Sequence, residues 1–400
     1  MATPNKIAKP FNFDLILYPV FFLVFTFVVV FLWFYYQKQI TLLTNRLQQT
    51  EKAKSSVSMQ LNKINQELID LQNQDQLKIN KILQKEIENI QKTYMKAVAS
   101  YEKLLDLKNI AKNTQTFDAL FADAITLLSQ KNYASADSEL NSLNIGIQKE
   151  RDKITASFQI PASVPTDNKP PNSGYKRQQV QVEGQNFMVD IIGADLNSTK
   201  VVVDTASESD CSDNCPVLSL NDYVSRNQAF AGVNGSYFCP ETYPSCAGKK
   251  NSFDTLLMNK NKKYFNSDNN VYSVIPAVIF NGTSVRYVNK SLEWGRDTGV
   301  DAVIANYPLL LSDNNIVMGS TDDPKHLNKG GRSFIGSKDS TVYIGVVHNA
   351  SVLESAKVLK TMGLSFALNL DDGGSTALWS GGYKAGPGRN IPNAILFIRR

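Results

Sequence analysis

The feature that most constrains this chain is an uninterrupted apolar run near its N-terminus. Residues 15–36 read LILYPVFFLVFTFVVVFLWFYY and contain no charged side chain. As a helix, this run spans roughly 33 Å at about 1.5 Å per residue, which matches the hydrocarbon core of a bilayer. Pro19 lies in the first turns, where proline costs least, and Trp33 and Tyr36 stand at the other end, as interfacial aromatics do. The sequence therefore predicts a transmembrane helix rather than a buried core helix.

The orientation of this helix depends on two opposing signals. No small-residue cleavage site follows the run, so we interpret it as an uncleaved signal anchor after a cytoplasmic tail of residues 1–14. The lysines and arginines on either side of the span slightly favour a cytoplasmic C-terminal side. The cysteines, however, are even in number and all lie far from the span, as in proteins of an oxidising compartment. We weigh the cysteines more heavily and predict a single-pass protein of the cell membrane with an extracytoplasmic C-terminal domain.

Residues 38–110 are predicted to form a coiled-coil stalk. They contain no proline or glycine, and two stretches carry apolar residues at heptad spacing. The stretches consist of Leu61, Ile64, Leu68 and Leu71, and of Leu83, Ile87, Ile90, Tyr94, Ala97, Tyr101 and Leu104. The register breaks between them, across QNQDQ at residues 72–76. This pattern favours a homo-oligomer; the alternative is a helix that packs on its own neighbours.

Two further segments precede the C-terminal domain. Residues 111–157 carry two amphipathic stripes, which predict a helical hairpin. Residues 158–178 contain four prolines and few apolar residues, so they are predicted to be an extended linker.

From residue 179 to residue 400 the sequence changes to short apolar runs typical of strands. Hairpins are predicted at residues 183–186 and on Asn281-Gly282. One helix is well signalled, because Ser351 and Glu354 form a capping box and Gly363 follows the last apolar position. The C-terminal domain is therefore predicted to be α+β, with more strand than helix.

Composition excludes several classes of function. Lysine and arginine number 42 and aspartate and glutamate 37, and no dense basic patch occurs in the C-terminal half, which argues against a nucleic-acid partner. The only histidines are His326 and His348, so a multi-histidine metal site is excluded. A hydrophobic fraction of 42% is enough for a real core.

Four segments of the C-terminal domain combine polar side chains and glycines at the ends of predicted strands. They are Asn234-Gly235-Ser236-Tyr237-Phe238, Arg332-Ser333-Phe334-Ile335-Gly336, Leu370-Asp371-Asp372-Gly373-Gly374-Ser375-Thr376 and Arg389-Asn390-Ile391-Pro392-Asn393. In the third, an apolar strand runs directly into two carboxylates, two glycines and two hydroxyls. Such a turn presents backbone N–H groups and side-chain oxygens together.

These four motifs, in this order, resemble the phosphodiester glycosidase family over residues 179–400. The resemblance implies hydrolysis of a sugar-1-phosphodiester at the anomeric carbon. It implies Asp371 as the catalytic carboxylate, with Arg332 and Asn234 as further catalytic residues that contact phosphate or sugar. It also implies a substrate-binding set around the glycine turn and the last motif, which consists of Arg389, Asp372, Gly373, Gly374, Ser375 and Thr376. For each polar residue the alternative is structural: a turn cap or an ion pair.

Two residues depart from the family pattern. Ser236 and Asp372 stand where glycine is expected, and a carboxylate at residue 372 adds negative charge close to a bound phosphate. No cofactor is expected, although Asp371 and Asp372 together raise the option of a structural calcium ion. His326, six residues before Arg332, either lines the site or lies in an exposed loop.

The cysteine spacing suggests two local disulfides, within Cys211/Cys215 and within Cys239/Cys246, although three pairings are possible. A zinc site formed by all four cysteines is the rival interpretation.

The leading hypothesis is a membrane-anchored extracytoplasmic glycosidase that hydrolyses sugar-1-phosphodiester bonds in surface glycans or glycopolymers. The alternatives are an inactive glycan-binding module displayed on a coiled-coil stalk, and a structural protein whose main part is the stalk. Its expected partners are the lipid bilayer, a sugar-phosphate or glycopolymer substrate and further copies of the chain.

Overall fold

The computed structural model describes residues 14–72, 75–266, 274–319 and 321–400. The chain divides into two units, residues 1–88 and residues 89–400. The helices are α1 Asp14–Gln72, α2 Asp75–Lys108, α3 Gln115–Ser129, α4 Tyr133–Ser157, α5 Leu220–Asn227, α6 Pro324–Leu327 and α7 Val352–Thr361. Residues 1–13 of the predicted cytoplasmic tail lie outside the described part of the chain.

The first unit contains helix α1, which is long and apolar enough to cross a membrane. Its side chains from Phe21 to Tyr36 are almost all exposed, as are the heptad residues Leu61, Ile64 and Leu68. Helix α1 ends at Gln72, at the predicted break in the heptad register. Residues 73–74 of that break lie outside the described residues.

The second unit begins within α2, which packs from Asn89 onward against the hairpin of α3 and α4. Apolar residues at three- and four-residue spacing form this small core: Ala97, Leu104, Leu107, Ala124, Leu128, Ala136, Leu140, Leu143 and Ile147. Tyr101 stacks on Phe121 with ring centroids 4.9 Å apart. The later part of the second heptad stretch therefore packs on its own chain, because the hairpin offers it an apolar face.

Seventeen strands follow within the described residues. They are β1 Gly174–Val182, β2 Gln185–Asp195, β3 Thr199–Thr205, β4 Ala231–Asn234, β5 Leu257–Met258, β6 Tyr264–Phe265, β7 Ala277–Asn281, β8 Ser284–Val288, β9 Ala302–Ala305, β10 Leu309–Ser312, β11 Asn315–Ile316, β12 Gly330–Lys338, β13 Thr341–Ala350, β14 Phe366–Asn369, β15 Leu378–Trp379, β16 Tyr383–Ala385 and β17 Asn393–Arg399.

These strands form three antiparallel sheets. The orders are β1-β2-β13-β12-β14-β10-β11, β16-β15-β4-β17-β3 and β6-β5-β9-β7-β8. The main core contains side chains from all three sheets, such as Ile344, Ile395 and Ile304, which are fully buried. A second core lies between the seven-stranded sheet and helix α7. The predicted α+β class is confirmed.

Local signals in the sequence appear where they were expected. Strands β1 and β2 form a hairpin whose turn residues, Glu183 and Gly184, both have positive φ. Helix α7 has the predicted Ser351/Glu354 capping box, and Gly363 follows it at φ +80°.

The proline-rich segment pairs with β1 through a bridge between Thr166 and Gln179, and β1 itself begins before residue 179.

Candidate active site

The third motif is the connection by which the chain passes from one sheet to another. Strand β14 lies in the seven-stranded sheet and β15 in the sheet of β4 and β17, and residues 370–377 join them. Gly373 has φ +62°, which glycine adopts without strain. A Cβ on Gly374 would overlap the guanidinium of Arg389, so glycine is needed there for a close approach. The other three motifs lie on β4, on β12 and just before β17, so this crossing brings all four together.

Asn234, at the end of β4, joins three of the motifs. Its side chain is fully buried. Its amide donates to the carbonyl of Asp371 at 2.7 Å. Its carbonyl oxygen accepts from the Ser333 hydroxyl at 2.7 Å and from the Ala377 N–H at 3.0 Å. These bonds hold the Asp371 turn at a fixed distance from β12 and β15.

Arg332 and Asp372 form a buried ion pair. The Arg332 Nη1 donates to Asp372 Oδ2 at 2.9 Å, and the two side chains are 6% and 9% exposed. Arg332 also donates to the carbonyls of Ala350, Lys325 and Asn328. The carboxylate of Asp372 further accepts from the Ser333 N–H and from the Asn369 amide. Its negative charge is thus matched inside the protein by Arg332.

Asp371 has a different environment, although it is the next residue. Its Oδ1 accepts from the Asp372 N–H at 2.8 Å, and its own N–H donates to the Gly235 carbonyl. Burial raises the pKa of Asp371 to about 7, assisted by the negative charge of Asp372 and opposed by a hydrogen bond from Ser375 and the positive charge of Arg389. Near neutral pH this carboxyl is therefore present in both protonation states, as acid–base catalysis requires.

Arg389 and the glycine turn, Gly373-Gly374, form the remaining side of the candidate site. The Arg389 N–H donates to the Gly374 carbonyl at 2.7 Å. Its guanidinium lies over the Tyr243 ring, 5.5 Å from the centroid, and the residue is partly exposed. Thr376 donates its hydroxyl to the Gly331 carbonyl at 3.2 Å. Of the two predicted phosphate-binding arginines, Arg389 is the one that retains access to solvent.

Residues 227–398 match the phosphodiester glycosidase family. No curated protein is significantly similar to the chain. Similar solved structures include a hypothetical protein from Synechocystis, with 12% identity and a TM-score of 0.41, where the match covers 56% of this chain and 62% of the other. A second similar structure is the zebrafish N-acetylglucosamine-1-phosphodiester alpha-N-acetylglucosaminidase catalytic domain, auto-inhibited by its pro-peptide. It has 14% identity and a TM-score of 0.45, and the match covers 59% of this chain and 87% of the zebrafish chain. A putative exported protein from Burkholderia pseudomallei has 11% identity and a TM-score of 0.36, and the match covers 53% of this chain and 74% of the other.

The phosphodiester glycosidase-like domain also places two tyrosines at the site that the sequence analysis did not single out. The Tyr237 hydroxyl accepts from the Asn369 amide at 2.9 Å, and its ring lies 5.0 Å from that of Tyr307. Burial, with the charges of Asp372 and Asp371, raises the pKa of Tyr237 well above its ordinary value. Tyr307 is 40% exposed. Tyr237 belongs to the first motif, so the sequence could have indicated it. Nothing in the sequence marks Tyr307 beyond its position after strand β9.

His326 packs its ring edge-on against Tyr307, with centroids 6.3 Å apart, and is partly exposed. The rim of the candidate site therefore contains the imidazole of His326 and the exposed ring of Tyr307. Among the described residues, no group of three or more histidine, cysteine or acidic side chains could hold a metal ion.

The cysteines are paired locally, Cys211 with Cys215 and Cys239 with Cys246. This is one of the three possible pairings, and it leaves no free cysteine in the described part of the chain. The second disulfide closes the loop that carries Tyr243.

Proposed function

We propose that this protein is a membrane-anchored, extracytoplasmic phosphodiester glycosidase that hydrolyses sugar-1-phosphodiester bonds in surface glycans or glycopolymers. The observation that carries the proposal is the position of Asp371. It lies on the turn where all four motifs meet, its pKa is raised to about 7, and the positive charge of Arg389 acts on it. A carboxyl with a pKa near 7, beside a partly exposed arginine, suits cleavage of a bond between a sugar and a phosphate.

In the proposed reaction, the ionised Asp371 accepts a proton from a water molecule as that water attacks the anomeric carbon. The bond from this carbon to the phosphate oxygen breaks, and positive charge develops on the sugar ring in the transition state. The departing phosphate monoester is already a good leaving group, so a positive charge is more useful to it than a proton. Arg389 is the group that supplies this charge, because a guanidinium binds phosphate through parallel hydrogen bonds.

The sugar would lie against the exposed ring of Tyr307, which is supported from below by Tyr237. Aromatic rings offer a flat apolar surface with little conformational freedom to lose on binding. Arg332, Asp372 and Asn234 would not contact the substrate, because their polar atoms already form hydrogen bonds inside the protein. Their role in this proposal is to hold the Asp371 turn in position.

The test uses the full chain in detergent with methyl esters of hexose 1-phosphates. Cleavage at the anomeric carbon releases free sugar and methyl phosphate, and in ¹⁸O-labelled water the label enters the sugar. We expect this product pattern, with kcat/KM rising with pH up to about 7 as Asp371 ionises. Release of hexose 1-phosphate and methanol would instead identify a phosphodiesterase, and a kcat/KM that falls as the pH rises through about 7 would assign Asp371 as a general acid.

The buried Arg332–Asp372 pair favours one alternative, a glycan-binding module without turnover. In that case a motif arginine has become structural, and the domain binds glycan through the tyrosines alone. Glycan binding with no product from any sugar 1-phosphodiester would select this alternative.

The anchor and the stalk belong to the same proposal. The apolar helix and the two disulfides support a membrane protein whose C-terminal domain lies in an oxidising compartment. The exposed heptad residues of α1, including Leu61, Ile64 and Leu68, support parallel self-association. Because Ala97 and Leu104 are already buried, the proposed oligomer contact lies N-terminal to residue 97.

A further inference from the structure

The C-terminal end of helix α2 contacts the candidate site directly. The Tyr243 hydroxyl donates a hydrogen bond to Asp106 Oδ1. In the same loop, the Ser245 N–H donates to Glu102 Oε1 at 3.0 Å. Three residues beyond Asp106, the Asn109 amide approaches the glycine turn, where its nitrogen is 2.8 Å from the position a Cβ on Gly374 would take. The end of helix α2 and the turn that follows it, both outside the phosphodiester glycosidase-like domain, thus reach Tyr243 and Gly374.

Arg389 lies between these two contacts. Its guanidinium lies over the Tyr243 ring on one side and approaches Gly374 on the other. Tyr243 is held as a protonated donor: burial and the negative charge of Asp106 raise the pKa of its hydroxyl far above the ordinary value, and Arg389 opposes this. Arg151 of helix α4 is paired with the other carboxylate oxygen of Asp106 at 3.9 Å. The chain of contacts therefore runs from Arg151 through Asp106 and Tyr243 to Arg389.

We propose that the C-terminal end of helix α2 completes the candidate site for an anionic phosphate group. Asp106, acting through Tyr243, is a positioning residue that fixes Arg389, and Asn109, directly after the helix, is a second donor to the phosphate. The inference rests on the proposed function, because Arg389 is there the phosphate-binding residue. Long arginine side chains lose rotamer freedom when they bind, so a guanidinium that is already confined binds an anion more tightly. The helical segment is then part of the phosphate subsite as well as a spacer.

The charges around this subsite agree with the inference. Asp106 has a cationic partner and a tyrosine donor of its own, so its negative charge is compensated on the helical side. Arg389 is partly exposed and faces Asp371 across the turn. A phosphate group at Arg389 would therefore meet the guanidinium and the Asn109 amide, both of which can donate hydrogen bonds to its oxygens.

The experiment compares Asp106→Asn, Tyr243→Phe and Asn109→Ala in the full chain. The matched control is Asp137→Asn, which breaks the ion pair of Asp137 with Lys96 between the same two helices, α2 and α4. Three quantities are measured: the dissociation constant of inorganic phosphate by calorimetry, KM and kcat for a hexose 1-phosphate methyl ester, and the thermal unfolding midpoint. We expect phosphate affinity to fall and KM to rise about three- to tenfold in each of the three variants, with kcat changed less than about twofold. Asp106→Glu should recover part of the loss, and Asp137→Asn should match the wild type.

Several outcomes would overturn the inference. Folded variants with unchanged phosphate affinity would show that the helix only supports the disulfide loop. Higher activity in the variants would show that the helix obstructs the site, and a wild-type chain that binds no phosphate would remove the subsite itself. If no sugar phosphodiester is cleaved but the variants still bind phosphate more weakly than the wild type, the proposed function fails and the positioning role stands.

Discussion

The two halves of the candidate site use the same residue types in opposite ways. In the inner half, Arg332 and Asp372 are buried and face each other, and their remaining polar atoms bind backbone or amide groups. In the outer half, Asp371 and Arg389 are partly exposed and act on each other through space across the glycine turn. The inner pair fixes the geometry, and the outer pair is available to a substrate. The two adjacent aspartates therefore have different environments: Asp372 is paired with a buried arginine, and Asp371 faces an accessible one.

The physical reason for this division is how each carboxylate is compensated. Burial raises the pKa of both aspartates, but a direct ion pair with Arg332 opposes the effect at Asp372. At Asp371 the opposing groups are a hydroxyl and a more distant guanidinium, and the pKa reaches about 7. Under the proposed function, this difference in environment is the reason to assign the acid–base work to Asp371 and not to Asp372.

The largest effect should follow when the inner pair is broken. Asp372→Asn leaves Arg332 buried without its counter-charge, and we expect the free energy of unfolding to fall by about 3–5 kcal/mol. Chemical denaturation of the purified full chain measures this loss. The control is Glu183→Gln, which breaks the exposed pair with Lys357 and should cost about 1 kcal/mol or less. Equal losses in the two variants would mean that the inner pair is not structural.

A substitution in the outer half should reduce catalytic activity without a loss of stability. Asp371→Asn keeps the shape of the side chain and removes its charge, so we expect kcat to fall about a hundredfold or more, or roughly 3 kcal/mol of transition-state stabilisation. KM should change by less than about threefold, because the carboxylate acts on charge that develops during the reaction. Steady-state kinetics, with circular dichroism to check folding, measures both constants. A folded variant with the wild-type rate would remove Asp371 from the mechanism and leave the activity resting on family resemblance.

The smallest effect is a gain in stability from the same substitution. Because the pKa of Asp371 is raised in the folded state, its ionisation costs stability. This cost is absent below about pH 4, where the carboxyl is protonated in both states, and is fully present above about pH 7. A pKa shift of this size corresponds to about 4 kcal/mol at most. Because Asp371 is partly exposed, solvent screening reduces the cost, and at pH 8 we expect Asp371→Asn to be about 1–2 kcal/mol more stable than the wild type, with the difference vanishing by about pH 4. Thermal unfolding across this range tests the sign. A variant less stable at pH 8 would show that the ionised carboxylate is well solvated or well paired.

Much of the chain could be predicted because the signals are local. An uncharged apolar run, a capping box at Ser351 and an Asn281-Gly282 turn depend on residues close in sequence, and each forms the expected element. All four motifs lie within residues 227–398, which match the family, and the structure brings the segments that carry them together.

The tertiary structure decided what each site residue can do. The family resemblance presents Arg332 as a catalytic residue and Arg389 as a substrate-binding one, but Arg332 lies in a central strand paired with Asp372, and Arg389 lies at an accessible turn. It does not indicate that Asp106 would reach Tyr243, since these residues are far apart in the chain and neither belongs to a motif. Burial and charge pairing depend on contacts between distant segments, and the free energies that set a pKa or fix an arginine arise only when those segments pack together.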